Sequence, residues 1–310
     1  MDIRVTGQTQ SANAILALRR QQSAVAKYQD QITSGMRIKV ASDDPSAYIA
    51  VAQTRRTSER NATYQKTITS ATADLNSGVS TLLNTKSLLT RAQQIASQAV
   101  DPSLGPTDRE ALASEIDSIL DGVLSDANTQ SQGSYQFGGS KISSPPFRVA
   151  TTDPNGRIAS VVYDGDSNRA SVLIGPNGQT TETRYVGSNV YQAPAGNAFA
   201  ALISLRNNLR GTQSSGNSAA DYTARIGELN AASEQISNTI GEQSGTLSTL
   251  EAIQTSLSNA KLSADSRLGD LESADVIDAV VRLREQETAF QATLLVSSKL
   301  FGNTLLDYIR

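Results

Sequence analysis

The spacing of apolar residues divides the chain into a helical part, a strand-like part and a second helical part. From Ile15 onward, apolar residues recur at alternating steps of three and four, which is one narrow face of an α-helix. The residues of this first stripe that we assign to an interface are Ile15, Leu18, Val25 and Ile32. A second run keeps this spacing from Ile68 to Val100, and the breaker segment 101–106 predicts its end.

Helical spacing returns near Phe199 and continues to the carboxyl end, with one run from Ile226 to Leu257 and a last run from Val276. The residues of the last helix that we assign to an interface are Val276, Val280, Leu283, Phe290, Leu294, Phe301, Leu305 and Tyr308. A chain that leaves along one helix and returns along another brings its ends together. We therefore expect the two ends to pair as an antiparallel coiled coil.

The texture changes after about Gly133, where Gly, Pro, Asn and Asp become frequent and β-branched residues form short runs. The predicted strands are Arg157–Tyr163, Ala170–Ile174 and Thr180–Val186. Residues 164–168 predict the turn of a hairpin between the first two strands, and Pro176-Asn177-Gly178 predicts a second turn. This part is a small β-rich insert.

Two helix starts carry capping signals. Thr107 is followed three residues later by Glu110, which is the pattern of a capping box. In Ser42-Asp43-Asp44-Pro45, we predict Asp44 as the cap and Pro45 as the first helical residue. The adjacent carboxylates of Asp43 and Asp44 also suggest an acid–base pair, but neighbours in sequence point apart, so capping is favoured.

These elements predict a mainly α fold with a β-rich insert. A discontinuous terminal coiled coil comprises residues 1–40 and 272–310, and a helical rod domain comprises 41–133 and 199–271. Residues 134–198 form a small outer β domain. Ordering two helices costs conformational entropy, and thin apolar stripes bury too little surface to offset that cost comfortably. We therefore expect the terminal pair to be marginal alone and to fold on assembly.

The composition excludes several classes of function. The 310 residues include 27 Lys and Arg against 30 Asp and Glu, a net charge of −3, without a basic patch for nucleic acid. The chain has no Cys and no His, so thiol chemistry, thiolate metal sites and histidine catalysis are absent. No apolar run suggests a signal peptide or a membrane span. An enzyme that uses Tyr and Asp stays open as an alternative.

Asp164, Asp166 and Asn168 occupy the first, third and fifth positions of a calcium-loop pattern. The sixth position is Arg169 instead of Gly, and the twelfth is Gly175 instead of Glu, so a turn is favoured over a metal site. The glycines of the insert match neither the Walker pattern nor the dinucleotide fingerprint. We predict no catalytic, cofactor-binding or metal-binding residues.

Three separated motifs resemble one family. Gln31 to Ile38, followed by Ser42, Asp43, Asp44 and Pro45, is similar to the amino-terminal signature of flagellins and flagellar junction proteins. Flagellins usually continue after the paired Asp with Ala-Ala-Gly, so Pro45 is more like the third hook-associated protein family. Asn128 to Gln130 and Gly133 to Gly139 resemble the central motif of that family, and residues 290–309 resemble its tail. The central motif residues that we single out are Tyr135, Phe137, Gly138 and Gly139.

This resemblance implies a structural, non-enzymatic subunit at the hook–filament junction, connecting the first hook-associated protein to the flagellin filament. It implies an extracellular position and export by the flagellar type III system without a cleaved signal peptide. It also implies a cytosolic export chaperone on the carboxyl-terminal helix and a ring-like array of the chain with itself. The alternatives are a flagellin of the filament itself, a small hydrolase or lyase, and a coiled-coil adhesin.

Overall fold

A computed structural model describes residues 7–211 and 218–308, and helices make up most of them. The α-helices are α1 (Gly7–Ser34), α2 (Pro45–Ala99), α3 (Pro106–Ala127), α4 (Gly187–Tyr191), α5 (Ala198–Leu209), α6 (Ala219–Glu272) and α7 (Val276–Tyr308). The predicted fold class, mainly α with a small β-rich insert, is confirmed. No helix among the described residues combines the length and the hydropathy needed to cross a bilayer.

Helix α2 begins at the predicted residue, Pro45, and ends next to the predicted breaker segment. Gly35 ends α1 because its φ of +67° lies in the left-handed region, which glycine adopts without a steric penalty. The predicted cap of α2 is correct, since Asp44 Oδ1 accepts a hydrogen bond from the Ala47 N–H at 3.0 Å. The break after α2 spans residues 100–105, and the predicted breaker segment was 101–106.

The predicted cap of α3 is wrong. The helix begins at Pro106, so Thr107 lies inside its first turn and Gly105 occupies the capping position. The Gly105 N–H donates to Asp108 Oδ2 at 3.3 Å, so Asp108 has the role that the predicted capping box gives to Glu110. Proline sets the start because its fixed φ suits the first helical position, where the missing N–H costs nothing.

The insert contains four separate two-stranded antiparallel sheets. The paired strands are β1 (Gln130–Ser131) with β2 (Ser134–Tyr135), β3 (Phe147–Thr152) with β4 (Ile158–Tyr163), β5 (Ser171–Leu173) with β6 (Thr180–Glu182), and β7 (Gln192–Ala193) with β8 (Gly196–Asn197). A short 3-10 helix, Pro176–Gly178, joins β5 to β6 at the predicted second turn.

The predicted hairpin across residues 164–168 is wrong, because β4 pairs with β3 and not with β5. The β3–β4 turn is closed by Asp153, whose Oδ1 accepts the N–H groups of Asn155 and Arg157 at 2.9 Å each. Gly156 has a φ of +79° in this turn. The sequence Asp153-Pro154-Asn155-Gly156 is thus a turn signal, and the sequence analysis did not predict a hairpin from it.

The chain forms two compact units, residues 1–60 with 259–310 and residues 61–258. The second unit contains the hydrophobic core, to which the helices and the β insert both contribute. Phe137, Phe147, Tyr191 and Phe199 join them, with neighbouring ring centroids 5.2–5.9 Å apart. The division into three domains at residues 40, 133, 198 and 271 stays a prediction.

Charged groups also tie the second unit together. The Arg206 side chain is only 3% exposed, and its Nη1 donates to the Ile158 carbonyl at 2.6 Å and to Asp117 Oδ1 at 3.2 Å. Arg210, one turn later, reaches Asp117 at 2.9 Å and Glu110 at 3.0 Å. These contacts hold α5 against α3 and β4, because a buried guanidinium needs such partners.

Candidate assembly surface

Helices α1 and α7 of the first unit pack against each other as an antiparallel pair. Their facing side chains are only half-buried, and among the described residues of this unit the buried apolar side chains are Ile38, Val51 and Ala279. Predicted interface residues that lie half-buried in the pair are Leu18, Val25, Ile32, Val280, Leu283 and Phe290. The seam between the two helices is therefore thin.

Other predicted interface residues are more exposed in the single chain. Ile15, Val276 and Leu294 are 44%, 46% and 44% exposed. Phe301, Leu305 and Tyr308 lie outside the side chains that the structure describes. The twelve residues thus do not form one buried seam, and their role as an assembly interface stays a prediction.

A second apolar stripe runs along α7, on the side away from the buried Ala279 and Ser297. This outer stripe consists of the apolar Ile277, Val281 and Leu295 together with the polar Thr288, spaced by four, seven and seven residues, so they share one helical face. Ile277 is 79% exposed and Leu295 is 65% exposed. Our sequence analysis followed one stripe per helix and missed it, because the same spacing from Ile277 also passes through the polar Arg284 and Gln291.

Exposed apolar side chains concentrate in the first unit. Of the sixteen large apolar side chains that are exposed among the described residues, all but Leu83, Ile142 and Leu173 belong to that unit. A stable monomeric domain has the opposite distribution, with large apolar residues inside and few exposed patches. The first unit therefore exposes many more large apolar side chains than the second unit does.

The amino-terminal motif forms the turn between α1 and α2. Asp43 Oδ2 accepts the N–H groups of Lys39 at 3.1 Å and Val40 at 3.2 Å, and Oδ1 lies 3.5 Å from Lys27 Nζ. The hydrogen bond from the Lys39 N–H is the main cause that lowers the pKa of Asp43, and the Ala47 N–H likewise lowers the pKa of Asp44. Both carboxylates serve backbone capping, which suits an ionised structural group better than a proton donor.

The central motif packs the start of the β insert tightly. The Phe137 ring is buried against Tyr191, and Tyr135 lies half-buried in β2. A Cβ on Gly138 would lie 2.1 Å from the Lys141 carbonyl oxygen, and one on Gly139 would lie 2.3 Å from Asp166 Oδ1. Gly139 also has a φ of +67°. The two glycines are thus required by close backbone approach.

The calcium-like residues have structural partners of their own. Asp166 Oδ1 accepts the Ser140 N–H at 2.8 Å and the Asn168 N–H at 3.2 Å, and Asp164 forms an ion pair with Arg148. These contacts fix the 164–168 loop on the central motif, which explains the Asp pattern without a metal. Residues 7–211 and 218–308 contain no cluster of three potential metal-ligating side chains of the Asp, Glu, His or Cys type.

One apolar groove of the second unit offers little chemistry. It has a volume of about 480 Å³ and lies between α2 and α6, over the buried Ile68 and Leu250. Its walls are Thr, Gln and one ionisable residue, Glu251. A catalytic site needs convergent titratable groups beside a nucleophile or an oxyanion site, and this groove has a single carboxylate.

Comparison with known proteins points in one direction. The family model of the bacterial flagellin N-terminal helical region matches residues 5–141. "Flagellar hook-associated protein 3" of Escherichia coli (strain K12) is 27% identical over 294 residues, covering 91% of this chain and 92% of that protein. The protein of the same name from Salmonella typhimurium is 26% identical over 325 residues, covering 99% and 100%. The crystal structure of the flagellar junction protein FlgL from Legionella pneumophila has the same fold, with a TM-score of 0.59 at 17% identity, covering 72% of this chain and 100% of that chain.

Proposed function

Because this chain is a flagellin-superfamily protein of the hook-associated protein 3 type, we propose that it is a structural subunit of the hook–filament junction. The relatives that span nearly the whole chain carry the hook-associated name, which favours the junction over the filament. We propose a non-enzymatic role, in which the chain acts through the surfaces that it presents to neighbouring subunits.

The observation that carries this proposal is the contrast between the two units. The second unit has a dense core, whereas the first unit exposes thirteen of its large apolar side chains, among them Ile277, Val281 and Leu295. Burying such side chains is worth about 1.5–3 kcal/mol each. These side chains stay exposed to water in the single chain. Contact with neighbouring subunits would bury them and stabilise the assembly by that amount.

The proposed partners come from the resemblance to hook-associated protein 3, and the exposed apolar side chains of the first unit support them. The first unit docks against neighbouring copies of the chain, the first hook-associated protein on one side and flagellin on the other. Such a contact is head-to-tail and generates a helical or ring-like array. Before assembly, an export chaperone covers the stripes of α7, and the chain leaves the cell through the flagellar export system without a cleaved signal peptide.

The test replaces two residues of the outer stripe in the full chain, Val281→Asp with Leu295→Asp. Their side chains are 51% and 65% exposed, so the double variant should fold like the wild type. It should fail to assemble, because docking would bury two unpaired carboxylates. The matched control is Leu83→Asp, an exposed leucine (52%) on α2 of the second unit.

Both proteins are expressed in cells that lack their own copy of this subunit. The control should restore filaments, and the double variant should leave bare hooks and release flagellin into the medium. Immunogold labelling of the control should mark one band between hook and filament. Normal filaments in the double variant would contradict the proposed surface, and gold along the full filament length would contradict the junction.

A further inference from the structure

Two turns of the first unit are hydrogen-bonded to each other, the turn after α1 and the turn between α6 and α7. The Arg37 N–H donates to the Glu272 carbonyl at 2.6 Å, and the Ala274 N–H donates to the Gly35 carbonyl at 2.9 Å. Met36 and Ser273 form an antiparallel β-bridge between these bonds. We call residues 35–37 with 271–274 the clasp.

Side chains reinforce the clasp from both strands. Arg37 Nη2 donates to the Leu271 carbonyl at 2.9 Å, and Nη1 lies 3.6 Å from the α2 cap, Asp44. Arg55 of α2 pairs with Glu272 at 2.8 Å, and the Glu272 side chain is only 12% exposed. Arg37 thus contacts both the last turn of α6 and the cap of α2.

The seam between α1 and α7 specifies its register poorly by comparison. Its apolar side chains are half-buried, and polar residues interrupt it: Ser297 is buried, and Gln21 Oε1 is buried without a hydrogen-bond partner among the described residues. An apolar stripe with a seven-residue repeat can slip by one repeat at little cost when few anchors are buried. The clasp bonds instead join two turns between helices, and the backbone groups inside the flanking helices already pair within those helices.

We propose that the clasp sets the register of the α1–α7 pair and that Arg37 is its positioning residue. The clasp lies where α1 ends and where α6 gives way to α7. Hydrogen bonds made there therefore fix which turn of α1 faces which turn of α7. The biological role of the clasp rests on the proposed function, because the α1–α7 pair is the part that assembles. The effect of the clasp on register is a property of the single chain and is tested in the monomer.

The test compares Arg37→Ala with Lys39→Ala in the full-length monomer by hydrogen exchange. Each variant removes one exposed positive side chain from the same turn, and the Lys39 side chain pairs with Asp30 at 2.7 Å, away from the clasp. In Arg37→Ala, amides of residues 12–34 and 276–299 should exchange about three- to tenfold faster, the equivalent of one net hydrogen bond. Amides of 226–257 should not change, and Lys39→Ala should match the wild type throughout.

A second variant reaches the clasp through the backbone. Gly35→Ala places its Cβ in open space but strains the φ of +67°, so it should accelerate the same amides as Arg37→Ala. Arg37→Lys should restore part of the protection, since it keeps the charge near Asp44. Equal exchange in Arg37→Ala and Lys39→Ala would overturn the clasp, even if the wild type assembles at the junction. A wild type that does not assemble would instead overturn the proposed function and leave the exchange result standing.

Discussion

Replacing Gly138 with alanine tests the close packing of the central motif. Gly138 is buried, its carbonyl accepts the N–H groups of Lys141 and Asp166 at 3.3 Å each, and it bridges to Val186. An alanine Cβ would lie 2.1 Å from the Lys141 carbonyl oxygen. That oxygen belongs to the backbone, so it cannot move aside as the end of a flexible side chain would.

Overpacking of this kind costs about 1–3 kcal/mol. At about 2–4 °C per kcal/mol for a unit of this size, the melting temperature should fall by about 2–12 °C. The matched control is Gly241→Ala in α6, where the added Cβ meets open space. It removes the entropic cost of a helical glycine, so we expect a gain of about 0.5–1 kcal/mol.

Urea and thermal unfolding of the two variants and the wild type decide the matter. The same chemical change should shift stability in opposite directions at the two positions. If the free energy of unfolding of Gly138→Ala lies within about 0.5 kcal/mol of the wild-type value, the backbone around residue 138 accommodates a Cβ. Close backbone approach would then not be the reason for the glycine.

Three further outcomes are expected. Leu82→Ala, in the second-unit core, should lower the free energy of unfolding by about 2–5 kcal/mol in urea, whereas Leu283→Ala in the half-buried seam should cost less than half as much. Arg206→Met should destabilise the second unit by about 3 kcal/mol, since the Asp117 and Ile158 partners lose a buried cation. The pKa of Asp43 is lowered in the folded chain, so its contribution is present above the ordinary value of 3.8 and is lost as the pH falls through the lowered pKa. An NMR pH titration should therefore show the amides of Lys39 and Val40 losing their hydrogen bonds only below pH 3.8. In Asp43→Asn, which has no carboxylate to protonate, the same amides should show no such transition.

Local rules predicted the helical parts well. The cap at Asp44, the break after Val100 and the start of α7 at Val276 each depend on residues within one turn, which the sequence displays directly. The cap of α3 failed because two local signals competed. Pro106 outweighed the Thr107 pattern, since a proline ring fixes the backbone more firmly than a side chain that forms one hydrogen bond.

Features that depend on distant residues could not be derived in this way. Strand β4 satisfies the rule for a strand, but its partner is decided by the Asp153 turn and by the packing of Phe147 against Tyr163, with ring centroids 5.1 Å apart. The clasp joins residues more than 230 positions apart, and nothing in the spacing near Arg37 identifies Leu271 as its acceptor. The apolar residues of the outer stripe can be found in the sequence. Only the structure shows that the opposite face of α7, with Ala279 and Ser297, is the buried one.

Under the proposed assembly, the thin core of the first unit makes its stability depend on the concentration of its partners. A surface that is covered only by partners is stabilised by mass action, by about 2.7 kcal/mol when the partner is present at one hundred times its dissociation constant. The second unit, with its own core, has no such dependence. At high dilution the chain should therefore lose order at its ends at a temperature that leaves residues 61–258 folded, and added subunits should raise only the lower transition.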